Sequence, residues 1–215
     1  MNRAPMSASD TQRAVAEPFD TTEVRWFALG TLDPAHVEWF NESGRVDLEI
    51  RQDSYVVDTS HDVGRKRRDH GPFEIKTRTG STGVTRLWGG LRGRIEQWRK
   101  VVGVEPPDGS LDRWSDVDKV VLTRIYQLHA HEAIEVDRRD MTVPGCDIEL
   151  AAVSVEGLEA WTFALETWGP NHEQRSMLDR AALQFLSDSG LPREFASHLT
   201  ADMGYPEWLA ALDIP

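Results

Sequence analysis

Charged residues recur at every second position in five separate stretches, and this period limits the fold more than any other feature of the chain. Glu23 and Arg25 form one such set, and Lys66 and Arg68 a second. Glu74, Lys76 and Arg78 form a third, Arg94, Glu96 and Lys100 (with Trp98 among them) a fourth, and Asp147 and Glu149 a fifth. Side chains two residues apart share one face of a β-strand, whereas on a helix they diverge. The residues between them are mostly apolar, as at Ile75, Ile95, Ile148 and Leu150. These stretches therefore read as strands with one charged and one apolar face.

Further strands fill the gaps. TEVRWFALG (22–30) alternates and is aromatic, and RVDLEIRQ (45–52) and DSYVVD (53–58) read as two more. DVGRKRRD (62–69) and PFEIKTRTG (72–80) form a hairpin about HGP, with turn glycines following in STGVTRLWGG (81–90). LRGRIEQWRKVVG (91–103) reads as one long strand and EPPDGSLD (105–112) as a loop. SDVDKVVLTRIYQLHA, HEAIEVDRRD, GCDIELAAVSV and WTFALETWG add four strands. The one early helix is DPAHVEWFNES (33–43), which Asp33 can cap, with Pro34 in its first turn and Gly44 after its end. After Pro170 the period changes. Met177, Leu178, Ala181, Ala182, Phe185 and Leu186 make a helical stripe ended by Gly190, and LPREFASHLTADMG (191–204) continues as a second helix.

At least eight short antiparallel strands remove their exposed edges best by closing on themselves. The expected fold is mainly β (α+β): a closed eight-stranded antiparallel β tunnel over residues 20–170, with a C-terminal helical cap over 171–215. Residues 1–19, rich in Ala, Ser, Thr and Pro, read as a disordered tail.

Charge distribution narrows the function. The net charge is −12, which argues against general nucleic-acid binding. Yet residues 62–100 hold eleven Lys/Arg against four Asp/Glu, a net of +7, so the remainder carries −19. A positive segment inside a negative envelope suits a sheltered anion site. No run reaches the about 18 apolar residues of a membrane span, and the N-terminus has no apolar h-region. Cys146 stands alone, which excludes an intramolecular disulfide and fits a reducing, cytoplasmic setting. It reads as a small buried hydrophobe. His129 and His131 share a strand face in H-A-H without a third ligand at suitable spacing. The tryptophans read as core residues except Trp98, whose parity places it among the charges.

Strand parity leaves two arrangements open. With the charges outward, the chain is a filled barrel whose helical tail is a partner surface. With the charges inward, it is a wet tunnel, and so many buried charges imply an anionic guest. Arg binds phosphate oxygens through paired hydrogen bonds and Lys adds a point charge, while carboxylates suit Mg²⁺ or Mn²⁺.

The order of pairs resembles the CYTH domains, or triphosphate tunnel metalloenzymes, over roughly residues 21–169. An E-x-R pair (Glu23, Arg25) opens the series, followed by a basic strand (Lys66, Arg68) and EIK (Lys76). R-x-E (Arg94, Glu96), a lone Lys119 and DIE (Asp147, Glu149) complete it. The resemblance implies a metal-dependent site that binds and hydrolyses a small-molecule triphosphate or polyphosphate. Arg25, Lys66, Arg68, Lys76, Arg78, Arg94 and Lys119 would clamp phosphates. Glu23, Glu96, Asp147 and Glu149 would hold Mg²⁺ or Mn²⁺. The chain departs from the family pattern at Thr21, Trp98 and Val121, where the family has two acids and a base. Those departures favour an alternative, a non-catalytic anion- or nucleotide-binding module. Neither nucleic acid nor membrane is expected as a partner, and the C-terminal helices offer a surface for a homodimer.

Overall fold

The computed structural model describes residues 17–42, 44–57, 60–69, 71–104 and 113–212. The expected tail up to residue 16, the loop at 105–112 and His70 of the hairpin turn lie outside the described residues. In chain order the elements are β1 (Phe19–Leu29), α1 (Pro34–Glu42), β2 (Asp47–Val57), β3 (Val63–Arg68), β4 (Phe73–Ser81), β5 (Thr85–Arg86) and β6 (Arg92–Gly93). There follow β7 (Glu96–Val104), β8 (Arg113–His129), β9 (Glu132–Val136), β10 (Gly145–Val155), β11 (Leu158–Trp168), α2 (Asn171–Ser189), α3 (Phe195–His198), β12 (Ala201–Asp202) and α4 (Tyr205–Ala211).

Eight strands close into an antiparallel barrel in the order β1–β7–β4–β3–β2–β8–β10–β11, with β11 returning to β1. Pairs β9 and β12 lie off this ring, on β8 and β1. Parity then sorts the side chains. Val24, Trp26 and Ala28 of β1 point outward, as do Ile148 and Leu150 of β10 and Phe163 and Leu165 of β11. They pack under α2, whose buried stripe is Met177, Leu178, Ala181, Ala182 and Phe185. Phe40 of α1 and Phe195 of α3 complete this outer core. Asp33 accepts the Ala35 N–H at 2.8 Å, which satisfies one of the free donors at the start of α1. Gly190, at φ 62°, ends α2 and donates to the Leu186 carbonyl.

A second apolar cluster lies inside the barrel at one end. Phe27, Tyr55, Val117, Val153, Val155 and Ala160 point inward there and meet Trp208 and Leu209 of α4. Trp208 stacks on Phe27 at 4.4 Å between ring centroids. Gly64 of β3 admits this plug, since a Cβ there would lie 2.9 Å from Pro206 Cγ. The C-terminal segment is thus divided: α2 buttresses the outer wall, and only α4 closes an end.

Four boundaries differ from the sequence reading. The two strands read over 45–58 are one, β2 (Asp47–Val57), because the polar run at Gln52–Ser54 keeps its alternation through the barrel wall. The long strand expected over 91–103 breaks at Arg94–Ile95, where Ile95 N–H donates to Thr82 Oγ1. The second helix shrinks to the single turn α3, and Ala201–Asp202 instead pairs with Trp26 and Phe27 of β1. The pairing of β7 with β1 stops at Glu23, which leaves that edge free for β12. His129 and His131 flank a tight turn, with Ala130 and His131 at φ 46° and 74°, so both are exposed and share no strand face.

Candidate functional site

Parity is resolved inward. Glu23, Arg25, Lys66, Arg68, Glu74, Lys76, Lys100 and Glu149 all line the barrel lumen, and so do Arg51, Lys119, Glu166 and Trp98. The cavity has an empty volume of about 740 Å³, counting the part open to solvent. Seven cationic and four acidic side chains line it, and with the buried Asp53 behind Lys66 and Lys119 the net is +2. Tyr205 and Pro206 at the start of α4 form its floor. Towards the other end the lumen runs on past Arg51, Lys100 and Glu166 to a mouth bordered by Phe19, Glu49, Arg139, Met141 and Asp147. Phe19 and Met141 are exposed there.

The deepest charges form a compact network. Asp53 is wholly buried and accepts hydrogen bonds from Lys119 Nζ at 2.8 Å and Lys66 Nζ at 3.0 Å. Arg51 Nε lies 3.4 Å and Arg68 Nε 3.8 Å from its other oxygen. Burial alone would raise the Asp53 carboxyl, but Lys119 and Lys66 hold it well below the usual carboxylate range. Burial, with Lys66 and Arg51 nearby, pulls the Lys119 ammonium well below its ordinary value. The same desolvation lowers Lys66. Lys119 also donates to Tyr55 Oη at 2.8 Å and sits 3.6 Å above the Tyr205 ring, a cation–π contact.

Across the lumen, Arg25 donates to Glu149 at 2.8 Å, and Lys76 bonds Glu23 and, at 3.1 Å, Glu166. Lys100 pairs with Glu74 at 3.1 Å. Against the pull of burial, Arg25 and Arg51 bring the Glu149 carboxyl down to about 2, and Lys76 and Lys100 hold Glu166 lower still. Asp147, at the mouth, moves the other way. Burial, with Glu149 and Glu166 close by, raises it to about 7 in spite of its bond to Arg139. Burial and Glu23 raise Glu96 as well. Four lumen donors, Thr21 Oγ1, Arg51 Nε, Arg68 Nε and Trp98 Nε1, make no hydrogen bond. Trp98 lies between Lys76 and Arg78, each about 5.5 Å from its ring centroid.

The expected residues divide clearly. Arg25, Lys66, Arg68, Lys76 and Lys119 come together in the lumen. Arg78 does not line the lumen but lies behind Trp98, tied to Asp62, Glu96 and Glu207. Arg94 is a correction: it precedes β7, leaves the strand face, and donates to the Asp202 carbonyl at 2.6 Å and to Glu207 at 3.1 Å. It braces the plug from outside the lumen. The four expected metal ligands each hold a different base: Glu23 has Lys76, Glu96 has Arg78, Asp147 has Arg139 and Glu149 has Arg25. Among the described residues no three His, Cys, Asp or Glu converge to hold a metal ion. These carboxylates, so paired, do not form one ligand set for a divalent cation.

Sequence reasoning missed Arg51, Asp53 and Tyr55, whose spacing in R-Q-D-S-Y carries the same period; dividing the strand at Gln52 concealed it. Glu166 had a signal too, as the one charged residue in the strand WTFALETWG. Tyr205 had none, since a helix from the chain's end carries it into the lumen. Cys146 is wholly buried and burial raises its thiol well above the ordinary value, so it behaves as a hydrophobe. Among the described residues no helix is long and apolar enough to cross a membrane. No protein-family model matches the chain, and no curated protein matches its sequence.

Proposed function

We propose that the barrel lumen binds a phosphate-bearing polyanion, with inorganic triphosphate and nucleoside triphosphates as the chemical class. The observation that carries this reading is the surplus of seven cations over five carboxylates, Asp53 counted with the four that line the cavity, above an apolar plug. Burial first, and repulsion from neighbouring cations after it, drive Lys119 and Lys66 towards neutrality. An entering anion relieves that repulsion, and its oxygens accept from Trp98 Nε1 and from Arg51 Nε and Arg68 Nε, which lie near Asp53 but make no hydrogen bond. Arg68 and Lys100, between the floor and the mouth, would meet it first. The carboxylates that resemble a metal set are engaged by bases, so the reading requires binding and routes no step through a metal.

Thermal unfolding with triphosphate, pyrophosphate and ATP, each with and without Mg²⁺ or Mn²⁺, tests the reading. A ligand at a hundredfold excess over its dissociation constant stabilises the native state by about 2.7 kcal/mol, or roughly 5 to 10 °C for a chain of this size. The shift should shrink as salt rises. No shift with any phosphate compound refutes the proposal. Where a shift is found, phosphate release measured with Mg²⁺ or Mn²⁺ separates a hydrolase, which the resemblance implies, from a binding module.

A further inference from the structure

The lumen has a depth axis. On β1 the inward residues run Thr21, Glu23, Arg25 and Phe27, from the mouth to the plug. On β10 they run Asp147, Glu149, Ala151 and Val153 in the same sense. At the far end Phe27 and Trp208 are stacked and nearly wholly buried, Tyr205 stacks on Tyr55, and Glu207 ties α4 to Arg94. A chain of phosphates cannot pass that layer. Along the axis the cations continue from Arg68 and Lys100 near the mouth to Lys66 and Lys119 at the floor. The mouth itself changes character: Phe19, Met141 and Trp168 lie beside Glu49 and Asp147.

From this geometry we infer that the lumen takes an anion end-first and requires an unesterified phosphate terminus. The inference rests on the phosphate reading above and deepens it. The free terminus lies deepest, against Lys66, Lys119 and Trp98, and any organic substituent stays at the mouth. A polyphosphate esterified at both ends presents no terminus to the floor, and its second head group meets the plug. Such a compound is excluded although its charge is the same.

The test compares ATP with diadenosine tetraphosphate, which match in charge when fully ionised, and uses inorganic triphosphate as reference, all by titration calorimetry on the full chain. Triphosphate and ATP should bind, and diadenosine tetraphosphate should bind at least about tenfold more weakly. Phosphorus NMR of bound ATP reads the orientation directly: the terminal phosphate resonance should move most and the esterified α-phosphate least. Equal affinity for the doubly esterified compound, or the reverse order of shifts, overturns end-first entry while the phosphate reading stands. If none of the three binds, the phosphate reading falls and this inference with it.

Discussion

Replacing Asp53 by Asn tests the central electrostatic claim, that one carboxylate holds the floor of the lumen together. Asp53 is wholly buried and carries hydrogen bonds from Lys119 at 2.8 Å and Lys66 at 3.0 Å, with two arginines within 4 Å. The amide keeps the shape and one acceptor oxygen but removes the charge. The Lys119 ammonium is then left without a counter-charge and Lys66 keeps only Glu74, at 4.0 Å, and breaking a buried ion pair in this way costs about 3 to 5 kcal/mol. For a chain of this length that lowers the unfolding temperature by roughly 10 °C. Lys119→Met should cost less, because Asp53 retains Lys66. The double variant should be less destabilised than the sum of the two singles by at least about 1 kcal/mol. The pH dependence has a definite sign. Because the folded carboxyl titrates below its unfolded value, its stabilisation is full above the ordinary carboxylate range and is lost as pH falls through the folded value. The acid limb of wild-type unfolding should therefore be steeper than that of Asp53→Asn. The assay is urea unfolding from pH 2 to 8, followed by tryptophan fluorescence. A cost below about 1 kcal/mol for Asp53→Asn, with an unchanged acid limb, refutes the reasoning. The variant also enlarges the cation surplus, so triphosphate should raise its unfolding temperature by more than it raises that of wild type.

Asp147 carries the opposite sign. Its folded carboxyl, raised to about 7, binds a proton more tightly than the unfolded one, so its stabilisation is full below the unfolded value of 3.8 and is lost as pH rises through about 7. The upper limit of that loss is about 4 kcal/mol. Asp147→Asn should be more stable than wild type at pH 8 and no more stable at pH 4, measured by urea unfolding at both. Trp208→Ala removes the stacked ring from the plug and should cost about 3 to 5 kcal/mol by calorimetric unfolding. It should also admit diadenosine tetraphosphate if the protein stays folded. Arg94→Ala should leave triphosphate affinity unchanged, because its guanidinium faces Asp202 and Glu207. Lys100→Gln should weaken binding several-fold in the same titration, and equal losses for the two would contradict their placement.

Local pattern determined much of this protein. The two-residue period of charge predicted strands, the number of strands predicted closure, and both held, because alternation on a pleated sheet is a property of the backbone itself. The same period carries five of the lumen's seven cations, Arg25, Lys66, Arg68, Lys76 and Lys100. Only the tertiary structure could decide whether that charged face points to water or to the lumen, since parity is the same in either case. The decision came from α1, α2 and α3, which cover the opposite, apolar face and leave the charged face inside. Partner choice was likewise invisible: Lys119 and Asp53 are 66 residues apart, and Glu207 reaches Arg94 across 113. The blind end of the lumen was the least legible feature. Trp208 and Tyr205 look like any short amphipathic helix in the sequence, and only their docking against Phe27 and Tyr55 makes them a floor. Long-range packing of that kind depends on which surfaces the barrel leaves exposed, and a barrel's surfaces exist only once all eight strands have met.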